Sequence, residues 1–187
     1  MATELIVIGT SMGGLTALET ILTEIACTFT LPIAVVQHRG TMSTDILPST
    51  LRRYTHLQVR EAQDKAPIVP GHLTLAPPDY HLMVEPGTFA LSTEAPVNYA
   101  RPSIDVLFQS AADAYGDRVL AVVLTGASND GAAGAAHVKR RGGRVLVQSP
   151  ATAESPVMPQ AAMAAAAPDW VMPLAGIGAF LNNLNRG

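Results

Sequence analysis

The stretch ELIVIGTSMGG, residues 4–14, changes from an apolar run into a serine flanked by glycines. The first part, ELIVIG, is apolar without alternation, which is typical of a strand buried on both faces of a sheet. Leucine and isoleucine then recur at helical spacing from Leu15 to Ile25. The stretch therefore predicts a buried strand, a tight turn around Ser11 and a helix.

The same alternation of strands and helices continues along the chain. The strand-like segments are LPIAVVQH (31–38), RVLAVVLTG (118–126) and RVLVQ (144–148), and the helix-like segments are RPSIDVLFQSAADAYG (101–116), with Ser103 as its cap, and DGAAGAAHVKRR (130–141). Between them, GHLTLAPPDYHLMVEPGTFALS (71–92) has the short runs and turn residues of an antiparallel meander. We predict an α/β fold with a doubly wound, mostly parallel sheet, helices on both faces and an antiparallel β-meander at one edge.

Composition narrows the class of protein. The chain has 187 residues, of which 48% are hydrophobic, and its mean hydropathy of +0.25 fits one domain over residues 1–187. A net charge of -3 and an aromatic content of 5% argue against nucleic acid as a partner. The single cysteine, Cys27, excludes an internal disulfide and suits a reducing compartment, and we expect it to be a packed thiol.

The chain has no apolar run long enough for a membrane-spanning helix. The N-terminus lacks a basic segment, and its apolar run is short. We therefore expect a cytoplasmic protein without direct membrane insertion.

Three chemically active side chains follow three of the predicted parallel strands. Ser11 follows the first strand, His38 ends LPIAVVQH, and Asp130 lies in the loop after RVLAVVLTG. In open α/β sheets, functional loops lie outside the carboxyl ends of the strands, so the three residues are expected at one edge.

The loop at Ser11 has two functional interpretations and one structural one. A dinucleotide fingerprint requires glycine at the position of Ser11, and an acidic residue where the second strand ends in Gln37 and His38. The pattern GxSxG of a nucleophile turn is met by Gly9, Ser11 and Gly13. A serine before a helix is also an ordinary N-cap. A nucleotide-binding α/β module therefore remains the alternative to a serine hydrolase.

The three side chains fit the requirements of nucleophilic catalysis. An alcohol is a weak nucleophile near neutral pH, so a base such as His38 must accept the proton of Ser11. A carboxylate such as Asp130 then holds the imidazole and stabilises its charged form. The chain order Ser, His, Asp differs from that of α/β-hydrolases, which predicts a triad on another fold.

Six blocks of sequence resemble the catalytic domain of CheB, the chemotaxis protein-glutamate methylesterase. They are VIGTSMGG, VVQHRG, REAQDKAPIVPGHLTLAPPDYHLMVE, RPSIDVLFQSAADAYG, VVLTGASNDGAAG and SPATAESPVMPQAA, in this order. The resemblance implies a doubly wound α/β domain with Ser11, His38 and Asp130 as its catalytic triad. It implies hydrolysis of γ-glutamyl methyl esters on the cytoplasmic helices of methyl-accepting receptors, with release of methanol. Deamidation of certain receptor glutamines is implied as well, and no metal or organic cofactor.

The oxyanion that forms when a serine attacks an ester needs hydrogen-bond donors aimed at it. The backbone N–H of Met12 and one from the loop of Gly126, Ala127 and Ser128 are the candidates, and Gly13 belongs to the same turn as Met12. The family more often has threonine at Met12 and methionine at Ala127. These departures keep open the alternative of a catalytically silent, protein-binding domain.

Three other polar residues each have two possible roles. Arg101 is expected either to meet a carboxylate near the site or to be a solvated charge. His72 and His81 are expected to serve the meander, with a place in the substrate groove as the alternative. The resemblance also implies a receiver domain as a usual companion, whereas this chain begins at the first catalytic strand, so a stand-alone enzyme or an excised domain is expected.

Overall fold

The first strand, β1 (Leu5–Thr10), lies at the centre of the main sheet in the computed structural model, which describes residues 2–38 and 46–184. The other strands are β2 (Ile33–Gln37), β3 (Gln58–Glu61), β4 (His72–Leu75), β5 (His81–Glu85), β6 (Thr88–Ser92), β7 (Val119–Val123), β8 (Arg144–Gln148) and β9 (Trp170–Met172). The helices are α1 (Gly14–Glu24), α2 (Ile46–Leu51), α3 (Ile104–Tyr115), α4 (Ala132–Arg140), α5 (Val157–Ala166) and α6 (Ile177–Leu184).

Seven strands pair in the order β3-β4-β2-β1-β7-β8-β9, and every neighbouring pair is parallel. All six residues of β1 are buried, because helices cover both faces of the sheet. Leu5 and Val7 pack on the face with α3, α4 and α5, whereas Ile6 and Ile8 pack on the face with α1, α2 and α6. This alternation confirms the doubly wound fold that the unbroken apolar strands predicted.

The segment predicted as an edge meander is divided between two sheets. β4 joins the main sheet in parallel between β3 and β2, whereas β5 and β6 pair antiparallel as a separate hairpin. A turn with Asp79 at φ 63° separates β4 from β5. The hairpin then buries Leu82, Val84 and Phe89 in the core cluster of α3, since an apolar hairpin face is stable only against a second layer.

The expectation of a packed thiol at Cys27 is wrong. α1 ends at Glu24, and Cys27 lies exposed in the segment that follows it. Among residues 2–38 and 46–184, no helix has the length and apolar character needed to cross a membrane.

Candidate active site

Backbone hydrogen bonds join the loops at the carboxyl edge of the three central strands. The Ser11 N–H donates to the Thr125 carbonyl at 3.0 Å, and the His38 N–H donates to the Thr10 carbonyl at 3.0 Å. The Gln37 side-chain amide donates to the Ser11 carbonyl at 2.8 Å. These bonds place the backbone of Ser11 between the loops that carry His38 and Asp130, as the order β2-β1-β7 requires.

His38 and Asp130 form a direct pair at this edge. The His38 Nε2 lies 2.8 Å from Asp130 Oδ2, and the two side chains are 17% and 0% exposed. Since Asp130 occupies Nε2, the nitrogen left to accept a proton is Nδ1. Within the described residues, no hydrogen bond joins the Ser11 hydroxyl to the His38 ring; such contacts are often long before substrate binds.

Asp130 is held by the first turn of α3. Its carboxylate accepts hydrogen bonds from the Ser103 hydroxyl at 2.8 Å and from the amides of Ile104 at 2.7 Å and Asp105 at 3.0 Å. Burial alone would raise the pKa of Asp130, but hydrogen bonds from His38, from these two amides and from Ser103 outweigh it and lower the pKa. Asp130 is therefore a charged partner for His38 at neutral pH.

Three supporting residues were not recognised from the sequence as parts of this site. Ser103 was expected only as a helix cap, and Asp105 carried no expectation. His81 is buried, accepts the Ser103 N–H at Nδ1 and donates from Nε2 to the Ala95 carbonyl, both at 3.1 Å. The only available signal was the run Ser103-Ile104-Asp105 at a helix start, where polar side chains commonly cap backbone amides.

The Met12 turn presents a free backbone donor. Within the described part of the chain, the Met12 amide has no hydrogen-bond partner, and the Thr125 hydroxyl fixes the Met12 carbonyl at 2.9 Å. The Met12 side chain is 54% exposed. Gly13 adopts φ 76°, and a Cβ atom added there would lie 2.7 Å from the Cβ of Glu154. Glycine is thus required at position 13 both by backbone conformation and by space.

Hydrogen bonds within the loop of Gly126, Ala127 and Ser128 reduce the number of candidates for the second oxyanion donor. The Gly126 N–H donates to the Ser155 carbonyl at 3.1 Å, so it is already used. Gly126 instead allows close approach, because an added Cβ would collide with the Met158 sulfur and lie 2.9 Å from the Ser11 Cβ. Within the described residues, the amides of Ala127 and Ser128 have no hydrogen-bond partner, and they remain candidates for an oxyanion donor.

Arg101 forms hydrogen bonds with the segment after β6. Its guanidinium donates to the carbonyls of Thr93 at 3.0 Å and Glu94 at 3.1 Å, and lies 3.7 Å from the Asp79 carboxylate. None of these contacts joins Arg101 to the His38 and Asp130 pair.

Comparisons with known proteins identify the family of this chain. The model of the family described as CheB methylesterase matches residues 6–181. The chain belongs to the CheB methylesterase family. A putative protein-glutamate methylesterase/protein-glutamine glutaminase from Leptospira interrogans is 41% identical over 98% of this chain and 95% of its own length. A protein-glutamate methylesterase/protein-glutamine glutaminase from Caulobacter vibrioides is 39% identical over 98% of this chain, which spans 54% of that relative.

A solved structure shows the same fold. The CheB methylesterase catalytic domain of Thermotoga maritima matches with a TM-score of 0.92 and 34% identity, over 98% of this chain and 100% of that one. By family and fold, this CheB-type chain is an ester hydrolase. Among the described residues, no group of three or more His, Cys, Asp or Glu side chains is arranged to hold a metal ion.

The two departures from the usual CheB pattern lie on exposed positions. Met12 and Ala127 both present their side chains to solvent. The backbone amides at both positions are independent of side-chain identity, so neither substitution removes a backbone donor from the loop.

Proposed function

We propose that this chain is a protein-glutamate methylesterase that uses Ser11, His38 and Asp130 as a catalytic triad. The observation that carries the proposal is the 2.8 Å bond between His38 Nε2 and the buried Asp130 carboxylate, on loops bonded to the backbone of Ser11. The names of its relatives support protein glutamate methyl esters as the substrate class. We propose that these esters lie on the cytoplasmic helices of methyl-accepting chemotaxis receptors, as the resemblance to CheB implies.

The reaction has two balanced halves. His38 Nδ1 accepts the Ser11 hydroxyl proton as Oγ attacks the ester carbonyl, and the Met12 amide with that of Ala127 or Ser128 stabilises the oxyanion. The carbon–oxygen bond to methoxide breaks, and methoxide takes the proton from His38 and leaves as methanol. Water then gives a proton to His38 and attacks the glutamyl-serine ester, and His38 returns the proton to Ser11 as glutamate is released.

Asp130 stabilises the charged form of His38 in this cycle. Its charge stabilises the imidazolium that forms twice per turnover, and its bond at Nε2 keeps the base at Nδ1. Glutamine side chains would be deamidated by the same route, with ammonia leaving in place of methanol. The relatives' names include this glutaminase activity.

The proposed setting is the cytoplasm, where receptor helices would be the partner. A separate receiver domain or protein is proposed as the regulator, because the resemblance to CheB implies a receiver domain as the usual companion of this catalytic domain. The Caulobacter vibrioides relative, of which this chain spans 54%, has room for further domains outside the matched part.

Covalent labelling tests the triad. A fluorophosphonate probe should label wild-type protein on Ser11, whereas Ser11→Ala should abolish labelling and His38→Ala should reduce it by about 1,000-fold or more. Ser149→Ala, which changes a serine after β8, is the matched control and should label normally. Methanol release from methylated receptor membranes then tests the substrate.

Two outcomes would contradict the proposal. Labelling that persists at the wild-type rate without His38 would remove the triad. A folded wild-type protein that is neither labelled nor active would instead support the silent binding domain.

A further inference from the structure

The N-terminus of α3 is capped by a carboxylate from the loop just before α4, and the N-terminus of α4 is capped by a carboxylate from α3. Asp130, which precedes α4, accepts the amides of Ile104 and Asp105 at the start of α3. Asp105 in turn accepts the amides of Gly131 at 2.9 Å and Gly134 at 2.6 Å, at the start of α4. Each helix N-terminus, with its partial positive charge, is therefore neutralised by a carboxylate from the other helix.

Asp105 is placed as a charged group. Its side chain is buried, with the residue 3% exposed, and it receives N–H groups from Gly131, Gly134 and the Asn98 side chain, the last at 2.9 Å. All three partners are donors, an arrangement that only an ionised carboxylate satisfies fully. The pKa of Asp105 is raised above its ordinary value, because burial and the Asp130 charge outweigh the lowering effect of the Gly134, Gly131 and Asn98 N–H groups.

We propose that Asp105 is a positioning residue of the esterase site, which holds the turn that carries Asp130 and adds a second negative charge beside Asp130. The turn is fixed because Gly131, bonded to Asp105, directly follows Asp130 in the chain. Because this charge lies beside the carboxylate that His38 bonds, removing it should make the imidazolium form that arises in the reaction less favourable. The proposal rests on the proposed role of the His38 and Asp130 pair.

Among the residues that the structure describes, no cation forms an ion pair with the Asp105 carboxylate. The Asp105 carboxylate contacts backbone amides at the start of α4 and the neutral side chain of Asn98 in the turn before α3. It also faces the charge of Asp130 in the loop before α4. On β5, His81 bonds the Ser103 amide rather than Asp105. Within the described residues, the ion pairs beside α3 are those of Arg101 with Asp79 before its first turn and of Asp113 with His137 and Arg141 at its far end, and none of them includes Asp105.

The test is the pH dependence of fluorophosphonate labelling. Asp105→Asn removes the charge, so the imidazolium of His38 is less favoured and the acid limb of the labelling rate should move to lower pH by roughly half a unit. The plateau rate should fall several-fold, because the turn is less well held. A purely structural role would lower the plateau and leave the limb in place.

Asp113→Asn is the matched control for the change of charge. It removes a carboxylate from the same helix at its exposed far end, so its acid limb and its plateau should match those of wild type. An unmoved limb in folded Asp105→Asn would overturn the proposal.

A second variant leaves Asp105 and both helix caps intact. Asn98 is exposed and adopts a left-handed conformation, which Lys65 shows that a lysine can also adopt in this chain. Asn98→Lys should place an ammonium beside Asp105, neutralise it and shift the acid limb in the same direction, whereas Asn98→Gln should leave the limb unmoved. This variant decides the question if Asp105→Asn does not fold, and an unmoved limb in Asn98→Lys then overturns the proposal.

The proposed function and this inference fail in different ways. If wild type is not labelled at all, the triad fails. If wild type is labelled at a rate that falls at acid pH, and neither Asp105→Asn nor Asn98→Lys shifts that fall, only the proposed role of Asp105 fails.

Discussion

Gly13, in the turn at Ser11, is constrained both by its backbone conformation and by the space around it. Its positive φ is costly for any residue with a Cβ, and its neighbour Glu154 fills the space that a Cβ would need. Gly87 has a similar φ of 81°, but nothing lies within 4 Å of an added Cβ. Comparing alanine substitutions at Gly13 and Gly87 therefore separates the free-energy cost of a positive φ from the cost of a steric clash.

We predict that Gly87→Ala lowers the free energy of unfolding by about 1 kcal/mol, the cost of a left-handed non-glycine residue. Gly13→Ala should lower it by about 1–3 kcal/mol more, because the Glu154 Cβ is close to the backbone and cannot move freely. Gly13→Ala should also slow labelling of Ser11, which Gly87→Ala should not. Denaturant titration measures the first effect, and equal destabilisation of the two variants would contradict it.

At the scale of elements, the start of α3 serves both folding and the site. Ser103 caps the helix in the way expected from its sequence, and its hydroxyl also donates to Asp130. The amides of α3 that Asp130 accepts would otherwise be buried without partners, which proteins rarely tolerate. The carboxylate that we propose for catalysis is therefore also a structural cap.

This double role predicts a pH-dependent contribution to stability. The pKa of Asp130 is lowered in the folded protein, so its stabilising effect is complete above the unfolded-state pKa of about 4 and is lost as the pH falls through the folded-state pKa. Asp130→Asn should lower the free energy of unfolding by about 2 kcal/mol at pH 7. The difference from wild type should shrink below about pH 4.

Denaturant titrations at several pH values measure this difference. Asp113→Asn, at the exposed end of the same helix, should show little effect at pH 7. A difference between wild type and Asp130→Asn that stays constant down to pH 2 would show that the charge of Asp130 does not contribute.

At the scale of the whole molecule, the central sheet couples two hydrophobic clusters. Phe108 is fully buried on the face of α3, and Leu18 is fully buried on the face of α1. β1 supplies alternate residues to both clusters, so neither face can lose its packing without disturbing the strand that carries Ser11.

We therefore predict that both faces unfold together. Phe108→Ala should lower the free energy of unfolding by about 3–5 kcal/mol and Leu18→Ala by about 2–5 kcal/mol, each with a single transition. The single tryptophan, Trp170 in the edge strand β9, provides a fluorescence signal to compare with far-UV circular dichroism. Two separated transitions in either variant would show that the faces are independent.

Much of this protein could be predicted from local pattern. Unbroken apolar strands alternating with helices specify a parallel sheet covered on both faces, and the carboxyl ends of parallel strands share one edge. That rule was enough to bring the loops of Ser11, His38 and Asp130 together.

Only the tertiary structure decided which groups support that site. The contacts of Asp130 with Ser103, of Asp105 with Gly131, and of the Gly126 amide with Ser155 join residues distant in sequence. The separate β5 and β6 hairpin likewise depends on the cover that α3 offers. Periodicity determines which face of an element is buried, but hydrogen-bond partners depend on how elements from different parts of the chain meet.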